Sequence, residues 1–119
     1  MKVNKLEEYL GKQKGSEGSY PFGPEARVFK VMGKMFALVS QKEEIPRITL
    51  KCQPADGEVL VGEYEAISPG YYMNKRHWIT ISLNAELPEE MILGLANESY
   101  ALVVSKLTKA DKKKLEESE

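Results

Sequence analysis

The sequence predicts an α+β domain: a two-layer sandwich in which an antiparallel sheet carries its helices on one face. Three observations predict it. Residues 27–52 hold three closely spaced runs with strand patterning, joined by short polar turns. Residues 88–107 hold a long stretch with apolar positions at three- and four-residue steps. Around these lie shorter helical and strand patterns, giving the order α-β-β-β-α-β-β-α. Hairpin-joined strands, together with helices that each own one apolar stripe, bury those stripes by stacking as two layers.

Taken in order, residues 4–13 read as a short helix. Asn4 is the expected cap, Glu7 completes a capping box, and Leu6, Tyr9 and Leu10 share a face. Residues 14–24 are dense in Gly and Pro and read as a loop, with Tyr20 and Phe22 as its buried anchors. Arg27-Val28-Phe29-Lys30-Val31 alternates polar and apolar and reaches Met32; a tight turn is expected at Gly33-Lys34. Met35 to Val39 is nearly all apolar, as in a central strand. In residues 47–52, Ile48, Leu50 and Cys52 alternate with Arg47, Thr49 and Lys51, so the meander should have one buried and one charged face.

Pro54 opens a helix to about Tyr64, in which Gly57 and Gly62 each cost about 1 kcal/mol relative to Ala. Ile67 sits on a short strand, Pro69-Gly70 marks a turn, and residues 77–83 form a strand with Trp78 and Thr80 on one face and Ile79 and Ile81 on the other. The last helix starts at Pro88, with Glu89 and Glu90 against its positive end. Its stripe runs through Ile92, Leu95, Ala96, Ser99, Leu102, Val103 and Leu107. Thr108 caps a further turn. The expected organisation is one domain over 1–110 and a charged, frayed tail over 111–119.

Composition narrows function. The chain has 119 residues, 42% hydrophobic and 29% charged, with net charge −1 and a pI near 6.0. A dedicated duplex-DNA domain is usually strongly basic, so nucleic-acid binding here requires local clustering of Lys and Arg. One Cys and one His cannot build the usual nitrogen–sulfur metal site, and no cofactor fingerprint has its required context. With no second His to act as a base and no nucleophile elbow, an enzyme is not expected. The N-terminus lacks a signal-peptide pattern and no run is long enough to span a bilayer; the cytoplasm is the expected location.

The segment with the most chemistry is Gly70-Tyr71-Tyr72-Met73-Asn74-Lys75-Arg76-His77-Trp78, which holds the one His and the one Trp. Lys75 and Arg76 suit phosphates, Asn74 suits a base edge, and Tyr71 and Tyr72 offer stacking faces. Arg27, Lys30, Lys34, Arg47 and Lys51 extend the cationic patch if the exposed strand face lies beside this loop. The plainer reading of the same residues is a polar turn, with His77 fixing the loop by bonding a backbone carbonyl and Trp78 filling the core.

Several of these stretches occur together in a known order: Tyr20-Pro21-Phe22-Gly23-Pro24-Glu25, Val28-Phe29-Lys30-Val31, Gly33-Lys34-Met35-Phe36-Ala37-Leu38, Leu50-Lys51-Cys52, the Asn74-Lys75-Arg76-His77-Trp78 element, Leu87-Pro88 and Ser99-Tyr100. In this the chain resembles the MmcQ/YjbR family of small bacterial proteins over residues 5–110. The resemblance implies a compact fold similar to frataxin-like and secretion-chaperone-like sandwiches. It also implies a DNA-binding label under the name double-wing domain, with no catalytic residues to carry over. Asn74, Lys75, His77 and Trp78 match the family's hallmark; Tyr72 stands where many members carry His. The expected function is thus non-enzymatic nucleic-acid (DNA) binding through Tyr72, Asn74, Lys75, Arg76, Arg47, Lys51, Lys30 and Lys34, by a monomer. The alternative is a protein-interaction or chaperone-like module that uses a sheet face or edge. A third reading is a small-ligand pocket lined by Trp78, Tyr71 and Tyr20.

Overall fold

The computed structural model describes residues 1–70, 74–84 and 86–118. Its elements are α1 (Val3–Gly11), β1 (Ser16–Ser19), β2 (Ala26–Val31), β3 (Lys34–Ser40), β4 (Arg47–Lys51), α2 (Pro54–Glu63), β5 (Ile67–Pro69), β6 (Trp78–Ser82), α3 (Glu89–Ser105) and α4 (Lys109–Glu117). The strands form one sheet in the order β1-β2-β3-β4-β6-β5, antiparallel at every pairing. The chain is therefore an α+β sandwich, and β1 and α4 join the expected series.

The register divides the sheet into two faces. Phe29, Ala37, Leu50 and Ile79 pair in one row, and with Val31, Val39, Ile48 and Ile81 they form the floor of the core. All the helices bury against this floor. Leu6 and Leu10 come from α1, Gly57 from α2, Ile92, Ala96, Ser99 and Val103 from α3, and Leu115 from α4. The opposite face carries the row Val28, Leu38, Thr49 and Thr80. That face is not uniformly charged as expected: these four residues are buried at its centre, and the Thr49 and Thr80 hydroxyls bond each other at 3.0 Å. Its cations are pushed to the two ends.

Several local expectations are corrected. β1 lies in the stretch read as loop; its Ser-Glu-Gly-Ser sequence has no apolar alternation and is held by backbone pairing to β2. The β2–β3 turn is Met32-Gly33, both at positive φ (49° and 78°), the geometry of a primed two-residue hairpin. Lys2, not Asn4, is the N-cap of α1, and Pro88 precedes α3 as its N-cap. The 111–119 segment read as a frayed tail belongs, through Glu117, to α4. There Thr108 Oγ1 accepts from Asp111 N at 3.1 Å, Leu115 is buried, and Lys14 Nζ donates to the Glu116 carbonyl at 3.0 Å. One buried leucine in nine residues is too sparse a signal to read as an amphipathic helix.

Arg27 faces the core side, because it is two residues from Phe29. Its guanidinium lies 4.9 Å from the Phe29 ring centroid and 5.6 Å from that of Tyr20, and 3.8 Å from the Glu7 carboxylate. It is thereby removed from the opposite, cation-bearing face. Tyr20 and Phe22 are not buried anchors but 52% and 76% exposed.

Gly57 has a packing reason that its helix propensity hides. A Cβ there would lie 2.8 Å from Cys52 Sγ, so the glycine lets α2 approach β4 and β6. We expect Gly57→Ala to destabilise the fold by about 1–3 kcal/mol through overpacking, against the gain of about 1 kcal/mol that propensity alone assigns. The double variant Gly57→Ala/Cys52→Ala should regain stability over Gly57→Ala alone in urea denaturation. A Gly57→Ala protein more stable than the parent would contradict the close approach.

Candidate nucleic-acid interface

The end of the sheet at which β6 begins gathers most of the residues singled out from the sequence. Gly70 N donates to the Trp78 carbonyl at 2.9 Å, and a Cβ on Gly70 would meet Trp78 Cβ at 2.7 Å. The start and finish of the 70–78 loop are therefore drawn together as closely as a glycine allows. His77 secures the loop through its backbone: its carbonyl accepts from Cys52 N at 2.9 Å, and its N–H donates to the Asn74 carbonyl at 3.1 Å. The Asn74 side chain closes a tight turn, its Oδ1 accepting from Arg76 N at 3.0 Å, as Asx turns do. That bond commits one of the two amide groups expected to read a base edge. Lys75 and Arg76 stand exposed at the turn. Tyr71 and Tyr72, the expected stacking residues, lie outside the described residues.

Trp78 is the first residue of β6 and pairs with Lys51, the last of β4. Both lie on the face away from the helices, since Ile79 and Leu50, their neighbours, point into the core. Trp78 is half-buried on this face rather than in the core, and the Lys51 Nζ sits 5.9 Å from its ring centroid, within cation–π reach. Lys30 lies on the same face of β2, opposite Met35 of β3 on one side and Glu17 of β1 on the other; Glu17 offsets part of its charge. Lys34 follows the hairpin turn at this end of the sheet and is exposed, but it pairs with the core residue Val31 and so lies on the helix side of the sheet, apart from Lys30 and Lys51. Arg47 is not brought in. It begins β4, pairs with Ser40 and Ser82 at the opposite end, and is about 13 Å along the strand from Lys51.

The same face holds a feature the sequence reading missed. Phe22, Gly23, Pro24, Glu25 and Ala26 arch beside Met35, Leu38, Ser40 and Lys42 and leave a groove of about 660 Å³. Phe22 was missed because an aromatic residue between prolines reads by default as a loop anchor; which way its ring points is set by the loop's tertiary path. A smaller cavity of about 350 Å³ lies between α2, α3 and the sheet and includes Cys52. Burial, aided by the Asp56 carboxylate, pushes the Cys52 thiol above its ordinary value, which keeps it protonated and a poor nucleophile. Of the residues expected to line a small-ligand pocket, Trp78, Tyr71 and Tyr20, the two described ones stand apart: Tyr20 stacks on Arg27, which lies on the core face near the start of β2, while Trp78 is on the other face. Among the described residues, no group of three or more His, Cys, Asp or Glu is placed to hold a metal ion, and no helix is long and apolar enough to cross a membrane.

Comparison with known proteins places this architecture. It superposes on the crystal structure of Deinococcus radiodurans protein DR2400, described with a DUF419 domain, with a TM-score of 0.85 and 36% identity over 95% of this chain and 86% of that one. The sequence is 43% identical to YbdF of Escherichia coli O157:H7 over 96 residues, 81% of this chain and 79% of that protein. It is 31% identical to YjbR of Escherichia coli K12 over 115 residues, 97% of this chain and 98% of that protein. The YjbR family model matches residues 12–102. The chain belongs to the YjbR family.

Proposed function

We propose that this protein binds single-stranded nucleic acid, without chemistry of its own, on the sheet face that the helices leave open. The observation that carries the reading is the Lys51–Trp78 pair at one end of that face, with Lys30, Lys75 and Arg76 around it. A ring surface stacks a base of any identity, and the cations neutralise the phosphates on either side. The surface is a sheet with loops at its rim, a form that suits splayed, unstacked bases. With a net charge of −1, the protein has no long-range attractive field, so binding is local, modest and steeply salt-dependent.

Trp78 is the sole tryptophan, so its fluorescence reports on this site alone. Titration with a single-stranded deoxythymidine decamer at low salt is expected to quench it. Each neutralised phosphate contributes about −0.7 to the slope of log K against log salt for a single strand, so a total slope of about −2 to −3 is expected. Absence of quenching, or quenching that is indifferent to salt, defeats the proposal. A second reading, docking of an apolar segment of another protein on the same face, draws on the exposure of Phe22 beside its groove.

A further inference from the structure

We infer that the groove beside Phe22 is a second base site, which takes one unstacked nucleobase of the same strand that Trp78 holds. This inference rests on the nucleic-acid reading and extends it from a point contact to a path.

The groove is built to present a ring. Phe22 is 76% exposed, yet its loop is held at several points. Gly23 N donates to the Tyr20 carbonyl and Ala26 N to the Gly23 carbonyl, each at 3.3 Å, and Gln41 N donates to the Glu25 carbonyl at 2.7 Å. Pro21 and Pro24 stiffen the chain on both sides. A large ring held in water by an ordered loop forgoes the burial that a side chain of its size normally gains, which points to a partner outside the chain. Met35 and Leu38 supply an apolar floor, the Ser40 hydroxyl and Lys42 supply polar groups, and the volume, about 660 Å³, falls in the range of small-ligand sites.

Its position selects the occupant. At one end of the open face, successive strands present Trp78 on β6, Lys51 on β4, Met35 on β3 and Lys30 on β2, with Lys51 paired to Trp78 and Met35 paired to Lys30. Met35 marks the near end of the groove, which runs from there along β3 through Leu38 to Ser40. Two strand spacings, about 10 Å across the sheet, separate Trp78 from the Met35 end of the groove, and the rest of the groove lies further along β3. A single strand alternates flat bases with anionic phosphates, so a strand that lays a base on Trp78 and a phosphate on Lys51 can turn along β3 at Met35 and place a further base against Phe22. An apolar peptide would fill the groove but bring no anion to Lys51, whereas Lys30 already faces Glu17.

The test is binding of a fluorescein-labelled deoxythymidine decamer, measured by anisotropy for the parent, Phe22→Ala and Phe22→Tyr. Loss of one stacked base is expected to raise Kd about tenfold in Phe22→Ala, and Phe22→Tyr should restore it. The salt slope should not change, because the ring neutralises no phosphate, and an all-abasic decamer should bind the parent and Phe22→Ala equally. The unfolding midpoint should be unaltered, since the ring is mostly exposed. If the parent binds with Trp78 quenching but Phe22→Ala binds equally well, the groove site is wrong and the nucleic-acid reading stands. If Phe22→Tyr behaves like Phe22→Ala, the ring is not the contact and the inference fails. If the parent binds nothing, both fall. If sedimentation shows a dimer that Phe22→Ala dissociates, the groove belongs to a second copy of the chain, and the inference is overturned.

Discussion

Replacing Ser99 with alanine is expected to cost about 2–4 kcal/mol of folding stability, an unusually large effect for removal of one hydroxyl. The pairing of β3 with β4 ends at Ala37 and Leu50, because the β2–β3 register shifts and leaves Phe36 as an extra residue between Met35 and Ala37. The next two backbone groups would be stranded in the core. Ser99, fully buried on α3, serves both: its Oγ accepts from Lys51 N at 2.9 Å and donates to the Phe36 carbonyl at 2.6 Å. Alanine leaves one buried donor and one buried acceptor unsatisfied, each costing about 1–3 kcal/mol. Urea denaturation with an unchanged m-value is the measurement; a loss below about 1 kcal/mol would show that water or a backbone shift replaces the hydroxyl. The bond also fixes the backbone of Lys51, so Ser99→Ala should weaken oligonucleotide binding in proteins that remain folded.

The double variant Lys30→Gln/Lys51→Gln is expected to weaken decamer binding on the order of 10²-fold at 50 mM salt. Each lost phosphate contact removes about 0.7 from the salt slope. Extrapolated from 1 M salt, where electrostatic gain vanishes, that is about a factor of eight per contact at 50 mM, to which loss of the Lys51 cation at Trp78 adds. Lys30 is exposed and Lys51 half-buried on the open face, and neither pairs with a core side chain, so stability should change little. The discriminating feature is the slope, which should fall by about 1.4 for the pair. Lys112→Gln, exposed on α4 in the helix layer, should change affinity much less. A comparable loss in Lys112→Gln would show that binding follows overall charge rather than this site.

Much of the fold was legible because it is written in periodicity. Ile48, Leu50 and Cys52 against Arg47, Thr49 and Lys51 set the faces of β4, and the stripe Ile92, Ala96, Ser99 and Val103 set the buried side of α3. Elements held by other means were not legible. β1 depends on backbone bonds to β2, and α4 on one cap and one leucine, neither of which leaves a repeating pattern. Arg27 misled because an alternating strand shows only which residues share a face, and a partly buried arginine stacked on Phe29 resembles an exposed one in sequence. Ser99 was placed on the correct face, but its role required knowing that the β3–β4 ladder stops beside it.

The candidate site divides in the same way. By itself the sequence determined the α+β class, the family hallmark around Asn74-Lys75-Arg76-His77-Trp78, and the need for any nucleic-acid contact to come from local rather than net charge. These follow from residue type and spacing. Only the tertiary structure decided that Trp78 stands on the open face beside Lys51, that Arg47 and Arg27 lie apart from the cluster, that Asn74 commits its side-chain oxygen to a turn, and that Phe22 stands in water beside a groove. Those facts depend on strand order, register and loop path. The physical reason is that register is fixed by the burial of the whole sheet at once, so the neighbours of any one residue are set by contacts far from it in sequence.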